Sequence, residues 1–102
     1  MIVRVWRTRV EQDRAAEYER FAREVSYPMF RSQPGYAGVL MGREGDDCVV
    51  VTLWKTRADA EALAASSAYL ATVERIVAQG FLRGEQSTVA FDAHLADLPG
   101  GV

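Results

Sequence analysis

Six residues carry the chemistry this chain could do: Arg4, Trp6, Tyr36, Trp54, Tyr69 and His94. Arg4 lies between Val3 and Val5 in an early apolar stretch. A guanidinium in that setting is costly to bury unpaired. It either pairs with a carboxylate such as Asp92 or points into a cavity, where it could hold an anionic or enolate oxygen. Tyr69 and His94 are the candidates for proton transfer. A buried Tyr69 hydroxyl needs a partner, and His94, the single histidine, has the side chain most often used as a base. Trp6, Tyr36 and Trp54 are candidate walls for a flat hydrophobic molecule. Each of these residues also has a plainer reading. The tryptophans can be core aromatics, Tyr36 can fix the turn after Pro34-Gly35, and His94 can sit at the surface or a dimer edge.

Other chemistry is missing from the pattern. No cluster of His, Cys and carboxylates has metal-ligand spacing, so no metal is expected. No phosphate loop or dinucleotide fingerprint occurs, so no cofactor is expected. One histidine builds no Ser/His/Asp triad with assurance. The single cysteine, Cys48, cannot close an intramolecular disulfide and reads as a buried, inert thiol. Net charge is -2, and eleven of the twelve basic residues are arginines interspersed with Glu and Asp. That distribution argues against nucleic acid or an anionic membrane as partner. No apolar run approaches a membrane span and no leader is visible, so a cytoplasmic location is expected.

The elements that must position these residues follow from the periodicity. Ile2 to Val10 reads as a strand, with Val3 and Val5 on one face and Arg4, Trp6 and Thr8 on the other. Asp13 is a candidate N-cap for a helix from about Arg14 to Ser26, whose apolar stripe is Tyr18, Phe21, Ala22 and Val25. Pro28 should stop that helix and start a separate short turn to Arg31. Tyr36 to Arg43 is a strand, and Gly38 and Gly42 within it mark a bulge or a close approach. A hairpin loop at Glu44 to Asp47 leads into Cys48 to Trp54, a β-branched apolar run with little alternation. Such a strand is covered on both faces. Thr56 or Asp59 caps a helix over Ala58 to Ala65. Ser66-Ser67 recaps a second segment, Ala68 to about Ala78, with Tyr69, Leu70, Val73, Ile76 and Val77 on its apolar side and Gly80 as its stop. Glu85 to Leu95 is the last strand, and residues 96–102 form a loose tail after a single domain over 1–95.

The order β-α-β-β-α-β predicts an α+β, ferredoxin-like fold: a four-stranded antiparallel sheet with helices on one face. The open face would carry Val3, Val5, Val49, Val51 and Leu53, or else Trp6, Val50 and Trp54. Either set is too apolar to leave in water. A homodimer pairing two open faces into an eight-stranded α/β barrel would cover it.

On these elements the chain resembles the antibiotic biosynthesis monooxygenase-like proteins of the dimeric α/β-barrel superfamily. The likeness rests on Ile2-Val3-Arg4-Val5-Trp6-Arg7, Pro34-Gly35-Tyr36-Ala37-Gly38, Leu53-Trp54-Lys55-Thr56 before a helix at Ala58-Asp59-Ala60, and Phe91-Asp92-Ala93-His94, and it covers about residues 1–95. It implies an aromatic-lined pocket between sheet and helices in each monomer. It also implies a small hydrophobic, polyketide-like ligand and cofactor-independent monooxygenase chemistry, the alternative being a non-catalytic ligand-binding or stress-related dimer. Quinone-forming members are similar in having a tryptophan at the place of Trp54, but also use an asparagine four residues before it and a tyrosine six after. Here those positions hold Val50 and Ala60. Haem-degrading relatives use an asparagine on the first strand and a helical histidine. This chain has no asparagine on that strand, and Val73 lies near the histidine position.

Overall fold

A computed structural model describes residues 1–100 of the chain. The strands are β1 (Ile2–Val10), β2 (Tyr36–Glu44), β3 (Asp47–Trp54) and β4 (Leu82–Asp92). They form one antiparallel sheet in the order β2-β3-β1-β4. The helices are α1 (Ala15–Phe21), α2 (Tyr27–Arg31), α3 (Arg57–Ala65) and α4 (Ser67–Ala78). The fold is the ferredoxin-like α+β arrangement that the element order predicts.

Period-two alternation decides which face of the sheet the helices cover. Ile2, Arg4, Thr8 and Val10 of β1 are buried, as are Cys48, Val50, Thr52 and Trp54 of β3. The opposite face carries Val3, Val5, Val49, Val51 and Leu53, only partly buried, so the first of the two predicted sets is the open one. Register extends that face across the sheet, because Val3 pairs with Leu53 and Phe91, and Val5 with Val51 and Val89. Leu40 on β2 lies opposite Val51.

The first helix does not stop before Pro28. A π-helical segment, Ala22–Ser26, joins α1 to α2, and the Tyr27 N–H reaches back to the Ala22 carbonyl. The wider turn accommodates the proline ring, which then sits in the first turn of α2, where its missing N–H costs nothing. Asp13 is no cap: it lies in a 3-10 turn, Gln12–Arg14, and makes no capping bond. Thr56 caps α3 by accepting from the Asp59 N–H at 3.1 Å, and Ser66 caps α4 by accepting from the Tyr69 N–H at 3.4 Å. On α4 the inward stripe is Tyr69, Thr72, Val73 and Ile76, spaced i, i+3, i+4, i+7. Leu70 and Val77 point outward, each about half exposed, and do not cover the sheet as predicted.

β4 begins three residues earlier than predicted and ends at Asp92 rather than Leu95. Leu82 pairs with Val10, so the stretch read as a connector is strand, and a register shift between Arg7 and Arg9 absorbs the irregularity. A second shift lies between Tyr36 and Gly38, at the predicted bulge. Gly35 holds φ +78°, and a side chain there would collide with Asp59. Ala93 to Gly100 carry no helix or strand, and the last two positions of the expected tail lie outside the described residues.

Candidate functional site

Buried side chains between sheet and helices fall into two clusters. Ile2, Met29, Phe30, Val50, Trp54, Ala60 and Leu63 form one. Val10, Ala15, Tyr18, Phe21, Cys48, Ile76 and Phe81 form the other. Trp6 packs partly against both. A cavity of about 40 Å3 occupies the seam. β1 contributes Arg4 and Trp6 to its wall, β3 contributes Val50, α1 and the π segment contribute Tyr18, Ala22 and Ser26, α2 contributes Met29 and Phe30, and α4 contributes Tyr69, Thr72, Val73 and Ile76.

Arg4 and Tyr69 make the polar end of this cavity. Arg4 is 7% exposed, and its Nη2 donates to the Tyr69 hydroxyl at 2.7 Å. The guanidinium carbon lies 4.9 Å from the Tyr69 ring centre, a cation–π distance. Tyr69 also packs on Phe30, with ring centres 6.4 Å apart. The predicted alternative for Arg4, a pair with Asp92, does not form. Asp92 meets Arg57 at 3.1 Å instead, because β4 pairs Ala90, not Asp92, beside Arg4. Among the described residues no carboxylate lies within salt-bridge distance of Arg4.

Three predicted site residues fall elsewhere. Trp54 is fully buried in the first cluster and is not part of the cavity wall. Its position at the end of β3 puts it beneath α3, against Ala60 and Leu63. Tyr36 stacks edge-on against Trp54 at 6.2 Å and does not reach the cavity. His94 is exposed beyond the end of β4 and does not line the cavity, because the strand stops two residues before it. Thus Arg4, Trp6 and Tyr69 are brought together, and Tyr36, Trp54 and His94 are not.

Several wall residues were missed in the sequence. Tyr18 and Ala22 were visible as part of the helical stripe, and Met29 and Phe30 as apolar residues after Pro28, but none signalled a cavity. Tyr18 and Ala22 also border an open groove of about 420 Å3 between the first helix and β2, rimmed by Arg23 and Arg43. Burial pushes the Tyr18 phenol well above its ordinary value, and the neighbouring Cys48 adds to the effect. Burial likewise raises the Cys48 thiol, as an inert core cysteine requires. No group of three or more His, Cys, Asp or Glu among the described residues could hold a metal ion. No described helix is long and apolar enough to cross a membrane.

The comparisons with known proteins agree with this architecture. SnoaB, a cofactor-independent oxygenase from Streptomyces nogalater, is 20% identical with a TM-score of 0.76, covering 96% of each chain. A monooxygenase from the gene ActVA-Orf6 of Streptomyces coelicolor, in complex with nanaomycin D, is 17% identical with a TM-score of 0.80, covering 97% of this chain and 92% of that one. Rv0793 from Mycobacterium tuberculosis is 15% identical with a TM-score of 0.70, covering 94% of this chain and 96% of the other. No curated protein matches the sequence. These likenesses establish the fold. The family model for antibiotic biosynthesis monooxygenase matches residues 1–75, and on that match the chain belongs to the antibiotic biosynthesis monooxygenase family.

Proposed function

We propose that the protein is a cytoplasmic homodimer that binds a small hydrophobic aromatic molecule in the cavity between sheet and helices, and that it acts there as a cofactor-independent monooxygenase. The observation that carries this reading is the cavity itself: aromatic and aliphatic walls with one polar end, built by Arg4 and Tyr69. In such chemistry the substrate, once deprotonated, gives an electron to dioxygen. For a quinone-forming case a ring CH2 becomes C=O, and O2 supplies both that oxygen and the oxygen of the water released. The protein supplies a dry pocket and groups that steady the anion. Arg4 is the group for charge, Tyr69 the group for the proton, and Trp6 the flat wall.

A multi-ring ligand needs on the order of 300 Å3 or more, so binding must open the seam. Met29, with its flexible thioether chain, and the Ala22 boundary with the outer groove are the places that can give. The dimer part of the reading rests on the open sheet face. Leu40, Val89 and Phe91 are each about half exposed there, beside the partly buried valines of β1 and β3. A contiguous apolar face of this kind needs a cover, and a second copy related by a two-fold axis supplies one of matching shape.

Oxygen uptake by purified protein under air, with a panel of hydroxynaphthacene-type phenols, tests the activity. Uptake that needs both protein and phenol, and that falls in Arg4→Met, is the expected result. Saturable quenching of tryptophan fluorescence with no uptake for any phenol would overturn the oxygenase reading in favour of a non-catalytic ligand-binding dimer. The second reading is favoured by Val50 and Ala60, which stand where quinone-forming relatives carry asparagine and tyrosine.

A further inference from the structure

Among the described residues Arg4 is a buried cation without a counter-charge. It is 7% exposed, and among the described residues no Asp or Glu lies within salt-bridge distance of it. Among the described residues no carboxylate lines the cavity either, and the one side-chain partner of Arg4 is the hydroxyl of Tyr69. A guanidinium carries five N–H donors, so most of its capacity is left over. No side-chain nitrogen or oxygen among the described residues is both sealed from solvent and without a partner, so the Arg4 nitrogens that have no partner remain open to solvent. Arg4 is part of the cavity wall.

We infer that the cavity is built for an organic monocarboxylate, whose charged oxygens dock on Arg4 and Tyr69 and whose apolar body lies against Trp6, Phe30 and Val50. This deepens the binding reading above and rests on it. Burying a lone guanidinium is unfavourable unless an anion or water compensates it. A planar oxyanion matches the guanidinium fork with two parallel hydrogen bonds. Tyr69 strengthens the fit: its oxygen accepts from Arg4, which leaves its own O–H free to donate to the same ligand. The Tyr69 backbone is held by the Ser66 cap and its ring by Phe30, so the second donor is fixed in place before the ligand arrives. The single positive charge sets the ligand's charge. A dianion such as a phosphate monoester would carry one buried charge with no partner, and a neutral molecule would leave Arg4 uncompensated.

Isothermal titration calorimetry of the intact protein at pH 7.5 with three matched probes tests the inference: 1-naphthoate, 1-naphthamide and 1-naphthyl phosphate. The expected order has 1-naphthoate binding at least tenfold more tightly than either of the others. Arg4→Met should bring the acid-to-amide ratio to about one, Arg4→Lys should keep part of it, and Tyr69→Phe should lower it several-fold. A thermal melt confirms that each variant is folded, and the wild-type ratio stands as a test even where a variant is not. Equal binding of acid and amide by the wild type, or an acid preference that survives in folded Arg4→Met, overturns the monoanion inference and leaves the hydrophobic binding site standing. Tighter binding of the phosphate overturns the single-charge argument. Binding of none of the three overturns both this inference and the reading of the cavity as a ligand site.

Discussion

The indole N–H of Trp54 donates to the Thr52 hydroxyl at 2.8 Å, two residues back on the same face of β3, and both side chains are buried. The bond satisfies the one polar atom of the largest fully buried side chain among the described residues. It anchors Trp54 in the core cluster with Ala60 and Leu63, away from the cavity wall. Thr52→Val keeps the shape of the strand residue and strands the indole N–H. The expected cost is about 1–3 kcal/mol. In a domain of this size each 1 kcal/mol lowers the melting temperature by roughly 4–8 °C. Ligand affinity should stay within twofold of wild type, whereas Trp6→Ala, at the cavity wall, should weaken binding with a smaller effect on the melt. A Thr52→Val variant with an unchanged melt and weakened binding would return Trp54 to the ligand site.

Much of the architecture was legible because it depends on local rules. Period-two alternation, the Glu44-Gly45-Asp46-Asp47 hairpin and the Thr56 and Ser66 caps are each set by neighbours in sequence. The cavity was only half legible. Arg4 drew notice because a charge among valines needs an explanation, and Tyr69 because a phenol on an apolar stripe needs a partner. Trp54 and Tyr36 lie away from the cavity for a reason the sequence does not carry. Alternation places Trp54 on the face of Val50 and Thr52, but which part of that face lies beneath α3 and which opens on the seam depends on how the four helices pack. Pro28 misled because its rule describes a regular α-helix. The π turn at Ala22–Ser26 suspends that rule, and it brings Ser26 and Ala22 to the wall beside Met29 and Phe30.

The open sheet face gives a sharp test of assembly. Val51 lies in the middle of the sheet, paired with Val5 on one side and Leu40 on the other. A charge there would be buried twice in a two-fold dimer, once from each copy. Sedimentation equilibrium should give twice the chain mass for the wild type and the single-chain mass for Val51→Asp, because an unpaired carboxylate at an apolar interface costs several kcal/mol. A monomeric wild type would remove the dimer from the proposed function.

Asp92 offers a control for the role of Arg4. It pairs with Arg57 across the surface, with side chains 80% and 50% exposed respectively. Exposed pairs of this kind contribute about 0–1 kcal/mol. Asp92→Asn should therefore leave the melt nearly unchanged and leave the preference for 1-naphthoate over 1-naphthamide intact. A change in that preference would mean that Asp92 reaches Arg4 in solution, which would supply the missing counter-charge and remove the reason for an anionic ligand.

Tyr18 and Cys48 predict how stability falls at high pH. Both are acids whose neutral forms are favoured by burial, so both hold their protons in the folded chain to higher pH than in the unfolded chain. Above the ordinary thiol value near 8.5, and then above the ordinary phenol value near 10, the unfolded chain has released protons that the folded chain retains. The unfolded state then binds fewer protons, and stability declines as pH rises, by up to about 1.4 kcal/mol per pH unit for each group. Neither group contributes a pH dependence below about pH 8. Urea denaturation from pH 7 to 11 should show a flat region and then a fall beginning near pH 8.5. Cys48→Ala should delay the onset of the fall towards pH 10, and Tyr18→Phe should flatten the slope above pH 10. A wild-type stability that rises between pH 9 and 11 would mean that the two groups ionise more readily in the folded chain than in water, which contradicts their burial beside Phe81 and Val10.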